Sequence, residues 1–184
     1  MEVQFVESKN LKEKPTGALG FGKYYTDYMF VMDWDAGQEW HDARVVPYGP
    51  LEFDPASMVL HYAQETFEGM KAYRTAEGKI QLFRPEMNAR RMIKSNERLC
   101  MPGVPEEMFV EAVKALVKAQ EDWVPSEPGT SLYIRPFMFA TEASLGVHMA
   151  KSYKFVIITT PVGAYYAEGI NPVKILVEDE YVRA

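Results

Sequence analysis

The stretch that decides the fold is residues 61–91, HYAQETFEGMKAYRTAEGKIQLFRPEMNARR. It holds two short runs typical of strands, MKAYR (70–74) and KIQLF (79–83), separated by Ala76-Glu77-Gly78, and this pattern predicts a β-hairpin. Proline fits the first turn of a helix, so the Pro85 that follows predicts a helix over 85–99. A hairpin followed directly by a helix indicates a domain that mixes strands with helices.

On the N-terminal side of this stretch, the sequence predicts another hairpin and another helix. The runs YYTDYMFVMDWD (24–35) and EWHDARVVPYG (39–49) alternate well enough to be paired strands. The Asp-Pro pair at 54–55 has the pattern of an N-cap followed by proline at the first helical position. Because Gly69 is a natural C-terminal stop, we expect a helix over 55–68.

On the C-terminal side, a helix opens at Pro105 and two long strands follow. The helix carries apolar residues at the spacing of one helical face, which predicts a set of core residues: Phe109, Ala112, Val113, Leu116 and Val117. SLYIRPFMFA (131–140) and KFVIITTP (154–161) are the strongest strand candidates. Pro136 suggests that the first of these is an edge strand or carries a bulge. The whole set predicts an α/β (α+β) fold with a mixed sheet and flanking helices.

The chain also contains a predicted domain boundary. Glycines and a proline in PVGAYYAEGINP separate the second long strand from a further apolar run, VKILVEDE (173–180), which we expect to be a strand with no helix to cover it. The predicted division is a small domain over 1–167, a connector over 168–172 and the start of a second, truncated domain over 173–184.

Composition excludes several classes of function. The chain has 184 residues with 26 acidic against 20 basic ones, a net charge of −6, and no basic stripe of the kind that binds nucleic acid. Its single cysteine cannot form an internal disulfide, and neither a membrane span nor a targeting segment is recognisable, so we expect a cytoplasmic protein. The three histidines are dispersed, and no metal-binding, nucleotide-binding or serine-nucleophile motif occurs.

A few residues invite a chemical interpretation but leave it open. Arg90 and Arg91 both project away from the apolar stripe of their helix, so either is a solvated side chain or a phosphate ligand. Arg135 shares one face of an apolar strand with Tyr133 and Phe137, where it either pairs with an internal carboxylate or faces a cleft that takes an anion. Aromatic residues near glycines and helix ends are either core or pocket wall: Tyr62, Phe67 and Tyr165.

Longer motifs carry a resemblance to a known family. GFGKYYTDYMF, HYAQETFEGMKAYR, LFRPEMNARRM, WVPSEPGTSLYIRP, EASLGV and PVGAYY occur in the order found in the branched-chain amino acid aminotransferases, class IV (fold type IV) pyridoxal 5'-phosphate enzymes. The chain resembles that family from about Phe21 to Ala184. The resemblance implies the family's small N-terminal domain, then the interdomain connector and the first strand of the larger cofactor-binding domain.

The resemblance also implies a set of site residues. Arg91 matches the arginine that binds the cofactor phosphate, and this separates it from Arg90. The positions that match the substrate pocket are Phe21, Phe67, Tyr133, Arg135 and Tyr165. The positions that match residues reaching that pocket from the partner subunit are Tyr62, Leu145 and Val147, so the resemblance implies a homodimer.

The reaction implied by the resemblance is transfer of an amino group between leucine, isoleucine or valine and 2-oxoglutarate, a step of branched-chain amino acid biosynthesis. The Schiff-base lysine would lie beyond Ala184, so we assign no catalytic residue and expect the 184-residue chain to be inactive alone. Alternatives are another class IV enzyme, such as D-amino acid transaminase or aminodeoxychorismate lyase, or a binding or dimerisation module without chemistry.

Overall fold

Both predicted hairpins are present. In the computed structural model, which describes residues 1–164 and 171–182, β2 (Tyr28–Asp35) pairs antiparallel with β3 (Glu39–Pro47). β5 (Met70–Arg74) pairs with β6 (Ile80–Leu82) in the same way. The turn of the second hairpin needs a residue with positive φ, and Gly78 supplies it at 80°.

The sheet is built around two long antiparallel strands, β7 (Ser131–Ala140) and β8 (Ser152–Val162). Two short strands join it, β1 (Gln4–Phe5), parallel to β3, and β4 (Glu65–Phe67), antiparallel to β7. The strand order is β1, β3, β2, β8, β7, β5, β6, and β4 pairs with β7 beside β5. The mixed sheet that the sequence predicts is therefore confirmed.

The prediction that Pro136 marks an edge or a bulge is wrong for its own strand, which lies inside the sheet. On one side of β7, Pro136 lies opposite Ile157 of β8. On the other side, the partner changes from β4 to β5, and only Glu68 and Gly69 separate these two strands. The Glu68 amide donates to the carbonyl of Pro136 at 2.8 Å. The interruption opposite Pro136 therefore lies between the neighbouring strands β4 and β5, and β7 itself is continuous.

Two of the predicted helices form as expected. α2 spans Pro85–Arg98 and α3 spans Glu106–Ala119, and a short 3₁₀ turn, Glu121–Trp123, follows. α3 packs on β2, β3 and β8, while α2 packs on α3 and β4. The predicted apolar face of α3 is buried in full, with accessibility between 0% and 5%: Phe109, Ala112, Val113, Leu116 and Val117.

The helix predicted over 55–68 is much shorter, and this expectation is wrong in its extent. α1 covers only Met58–Tyr62 and ends at Ala63, which has left-handed backbone angles. Asp54 closes a turn before it, because its carboxylate accepts from the Ala56 amide at 2.7 Å. The next residues join the sheet as β4. Pairing with a long central strand thus prevails over the helical pattern read from the sequence.

The strand predicted over 173–180 does not form. Residues 171–182 have no regular secondary structure, and the apolar side chains of Ile175, Leu176 and Val177 are each more than 80% exposed. A strand needs a neighbour for its backbone hydrogen bonds, and within the described ranges no strand pairs with this segment. Most of the predicted connector, together with the end of the predicted small domain, falls on residues 165–170, outside the described residues.

The two faces of the sheet have different surroundings. α2 and α3 cover one face, where Leu132, Ile134 and Met138 of β7 are fully buried. On the other face, a small apolar cluster forms around Met29 and Val156. Alternation along β7 places Tyr133, Arg135 and Phe137 on this second face. No helix in the described part of the chain is long and apolar enough to cross a membrane.

Candidate functional site

Arg135 lies among aromatic rings on the face of the sheet opposite α2 and α3. Its guanidinium carbon is 4.4 Å from the centroid of the Phe67 ring and 5.4 Å from that of Tyr133. Its Nη2 also donates to the Tyr133 hydroxyl at 2.8 Å. No carboxylate lies within 4 Å of it among the residues described. Cation-π contacts and a neutral acceptor orient the guanidinium but leave its charge uncompensated, so it can meet an anion.

Phe21 completes the aromatic surroundings of this arginine. Its ring meets that of Tyr133 edge to face, with centroids 5.0 Å apart. Phe21, Tyr133 and Arg135 line a hollow of about 100 Å³ together with side chains of β8 and Tyr25. Phe21 and Phe67 are 55% and 62% exposed. The four sequence-predicted pocket residues that can be placed therefore lie together, with apolar rings beside a cation.

Arg91 extends from α2 to a buried carboxylate. Its Nε and Nη2 donate to the two oxygens of Glu68 at 3.0 and 2.6 Å, a bidentate pair. The Arg91 side chain is 60% exposed while that of Glu68 is 8% exposed. The hydrogen bonds and the charge of Glu68 raise the pKa of Arg91 above its ordinary value. A guanidinium has five N–H donors, so three remain for another ligand on the exposed side.

Sequence reasoning missed two polar residues behind Arg91. Asn88, one turn earlier on α2 and 7% exposed, donates from Nδ2 to Glu68 at 2.9 Å and to the carbonyl of Gly69 at 3.1 Å. Glu68 and Gly69 are the two residues that separate β4 from β5. In the sequence Glu68 is only an acid beside a glycine within FEGMK, and nothing there points to its partners, which lie about 20 positions away.

Gly69 links this carboxylate to the aromatic surroundings of Arg135. A Cβ atom at position 69 would overlap the hydroxyl oxygen of Tyr133 and lie 3.1 Å from its Cζ. Glycine therefore admits the Tyr133 ring against the backbone. The same side chain also lines a second hollow of about 290 Å³, together with Lys71 and Asn88. The two residues between β4 and β5 thus connect both arginines: Glu68 pairs with Arg91, and Gly69 packs against the Tyr133 ring beside Arg135.

Arg90 has a different environment from Arg91 although they are neighbours. It forms a bidentate pair with Glu106 at the start of α3, at 2.8 and 3.3 Å. Both side chains are well exposed, at 57% and 37%. Such a pair fastens one helix to another at the surface and adds little stability. The structure therefore gives Arg90 a role in helix contact.

Tyr62 of α1 contacts Leu145, and Val147 follows two residues later in the same segment. The Tyr62 hydroxyl donates a hydrogen bond to the carbonyl of Leu145, and a β-bridge between Ser57 and Ala143 holds the two segments side by side. Their surface is apolar and open, with Leu145 65% and Val147 84% exposed.

Tyr165, the remaining pocket residue, lies outside the described residues. In the part of the chain that the structure describes, no three His, Cys, Asp or Glu side chains converge on a position that would hold a metal ion.

The chain is similar to curated aminotransferases over nearly its whole length. It is 57% identical over 175 residues to branched-chain-amino-acid transaminase 1 of Bacillus subtilis, covering 94% of this chain and 49% of that protein. It is 53% identical over 184 residues to a probable branched-chain-amino-acid aminotransferase of Staphylococcus aureus, covering 99% and 51%. The chain thus spans about half the length of the curated relatives it matches. No family model matches it.

Solved structures show the same fold. The branched-chain amino acid aminotransferase of Escherichia coli superposes with a TM-score of 0.59 at 25% identity, over 77% of this chain and 42% of that one. The branched-chain amino acid aminotransferase of T.th., solved with pyridoxamine 5'-phosphate, gives a TM-score of 0.57 at 27% identity, over 74% and 41%. The mixed sheet with its flanking helices is therefore part of an aminotransferase fold.

Proposed function

The chain belongs to the branched-chain aminotransferase family, and from this premise we propose that a full-length enzyme carrying it transfers amino groups between leucine, isoleucine or valine and 2-oxoglutarate. Here "full-length enzyme" means this chain joined to the half that the relatives have in addition, for example that of the Bacillus subtilis transaminase. The similarity over nearly the whole chain supports the reaction, and the cation of Arg135 among aromatic rings is the structural observation that carries it.

The residues around Arg135 suit an amino acid with an apolar side chain. Phe21 and Phe67 offer apolar rings for the aliphatic group, while Arg135 and the Tyr133 hydroxyl offer hydrogen-bond donors and charge for a carboxylate. A dicarboxylic substrate places a second carboxylate where leucine has methyl groups. An uncompensated guanidinium beside apolar rings accommodates both kinds of substrate.

We assign the cofactor phosphate of pyridoxal 5'-phosphate to Arg91. The fit rests on chemistry present in this chain, because the guanidinium is fixed from behind by Glu68 and keeps three N–H donors on its exposed side. When bound, the cofactor supplies the electron sink that amino-group transfer requires. The lysine that the resemblance implies is not assigned to any of the twelve lysines of this chain, and we propose that the chain alone is inactive.

We further propose that the enzyme is a homodimer and works in the cytoplasm. The exposed apolar side chains of Leu145, Val147 and Met149 support dimerisation, because apolar side chains that cluster at a surface are typical of an interaction site. A single cysteine, Cys100, exposed and free, fits a reducing compartment.

An assay of the full-length enzyme tests the proposed function. With pyridoxal 5'-phosphate and 2-oxoglutarate, leucine, isoleucine and valine should each yield glutamate, whereas D-alanine should not react and aminodeoxychorismate should not be cleaved. Preference for either of the last two would assign the chain to another class IV activity. Absence of reaction from a folded, cofactor-loaded protein would refute the proposal. The 184-residue chain, incubated with the cofactor and reduced with borohydride, should show no stoichiometric pyridoxyl-lysine.

A further inference from the structure

Glu68 is a buried carboxylate that the proposed reaction does not use. It is 8% exposed, and its carboxylate is fully hydrogen-bonded: both oxygens accept from Arg91, and one of them also accepts from Asn88. A buried acid is costly unless it is fully paired. The pairing offsets this cost, and it holds Arg91 and Asn88 in place at the same time.

The backbone fixes Glu68 before its side chain makes any contact. Its amide donates to the carbonyl of Pro136 at 2.8 Å, at the point where β7 changes partner from β4 to β5. Asn88 then ties the carboxylate and the next carbonyl, that of Gly69, to α2. The carboxylate is thus held by the sheet on one side and by the helix on the other.

We propose that Glu68 is a positioning residue for the cofactor phosphate: it orients the guanidinium of Arg91 so that the three remaining N–H donors face outward. This inference rests on the phosphate role proposed for Arg91. The Arg91 side chain is 60% exposed, and a long side chain without a partner would lose conformational freedom on binding a phosphate. Pairing with Glu68 has already removed that freedom in the free protein. The negative charge of Glu68 also repels the phosphate. Removal of Glu68 should therefore lower phosphate affinity through the loss of orientation and raise it through the loss of repulsion.

The experiment compares two ligands that differ only in the phosphate. Apoenzyme of the full-length protein is titrated with pyridoxal 5'-phosphate and with pyridoxal, and binding is followed by absorbance. We expect Glu68→Ala to weaken phosphate-form binding by roughly tenfold, the scale of the side-chain entropy that pairing removes in advance, and to leave pyridoxal binding unchanged. Glu68→Gln, which keeps one acceptor oxygen, should lie between. Glu106→Gln weakens the corresponding ion pair of Arg90 on the same helix. It should change the affinity neither for pyridoxal 5'-phosphate nor for pyridoxal.

Other outcomes overturn the inference. Equal loss for both ligands would make Glu68 merely structural, and tighter binding of the phosphate form would mean that its charge outweighs its positioning effect. Arg91→Ala separates this inference from the proposed function. If Arg91→Ala selectively weakens the phosphate form while Glu68→Ala does not, the positioning role alone is refuted. If Arg91→Ala has no selective effect, the phosphate role is refuted, and the inference with it.

Discussion

Arg135 donates from both Nε and Nη2 to one acceptor, the hydroxyl of Tyr133, at 3.3 and 2.8 Å. The two residues are two positions apart on the same face of β7, and the acceptor carries no charge. The arginine is therefore oriented without being neutralised. This distinguishes it from Arg90 and Arg91, each of which forms a bidentate pair with a glutamate.

Arg135→Ala should discriminate between the two substrates of the proposed reaction. We expect the KM for 2-oxoglutarate to rise by roughly tenfold or more, because a charge-assisted contact to the second carboxylate contributes about 1.5–3 kcal/mol. The KM for leucine should rise less. Steady-state kinetics of the full-length enzyme provide the measurement, with Arg135→Lys as the variant that retains the charge. Equal increases for both substrates would indicate a structural role.

Arg91→Ala should weaken the retention of pyridoxal 5'-phosphate, whereas Arg90→Ala should not. The two variants remove the same side chain from neighbouring positions of α2, and each breaks one pair with a glutamate. The expected loss for Arg91 corresponds to about 1.5–3 kcal/mol of binding free energy. Equilibrium dialysis of the cofactor from the full-length enzyme measures it. Equal cofactor affinity in the two variants would contradict the assignment.

Gly69→Ala should destabilise the chain because its new methyl group would overlap the Tyr133 hydroxyl. We expect a loss of about 1–3 kcal/mol in the free energy of unfolding, the usual cost of overpacking. Tyr133→Phe removes the overlapped oxygen, so Gly69→Ala should cost less in that background. Urea unfolding of the four proteins of this double-mutant cycle gives the coupling. If the two changes in unfolding free energy are strictly additive, the Tyr133 hydroxyl is not what disfavours a side chain at position 69.

The patterns of the sequence predict most of the architecture because they are local. Both hairpins and helices α2 and α3 follow from turn residues, proline positions and periodicity within short windows. The helix over 55–68 fails for a reason that lies elsewhere in the chain: residues 65–67 find hydrogen-bond partners in β7, about 70 positions away. The strand over 173–180 fails for the converse reason, since no described strand pairs with it.

The site shows the same division. The alternation of β7 predicts that Tyr133 and Arg135 share a face, and the structure confirms it. Periodicity leaves open whether Arg135 pairs with a carboxylate, because pairing depends on which residues the fold brings to that face. Glu68 and its partner Asn88 have no local signature, since their contact exists only after α2 packs on β4.

The proposed dimer gives a prediction about the surface of Leu145 and Val147. Val147→Asp places a charge on a side chain that is 84% exposed, so it should cost the isolated fold little. In a dimer that buries this surface, the same charge would be desolvated without a partner, and association should weaken by at least tenfold. Sedimentation velocity of the full-length enzyme compares Val147→Asp with Leu11→Asp, a charge placed on an apolar side chain of the N-terminal arm that is 67% exposed. Unchanged association in Val147→Asp would exclude this surface from the interface.

His41 gives the chain a small pH dependence of stability. Desolvation lowers the pKa of His41, but hydrogen bonds to Asp42 and Asp35 at 3.0 and 2.9 Å outweigh it, so the pKa is raised. Because the folded-state pKa exceeds the unfolded value of about 6.5, the stabilisation is complete below that pH and is lost as pH rises through the folded pKa. Since both aspartates are at least half exposed, the effect should be at most about 1 kcal/mol. Thermal unfolding of the chain should show a larger gap between wild type and His41→Gln at pH 5.5 than at pH 8.5, and a gap independent of pH would mean that these contacts do not perturb the histidine.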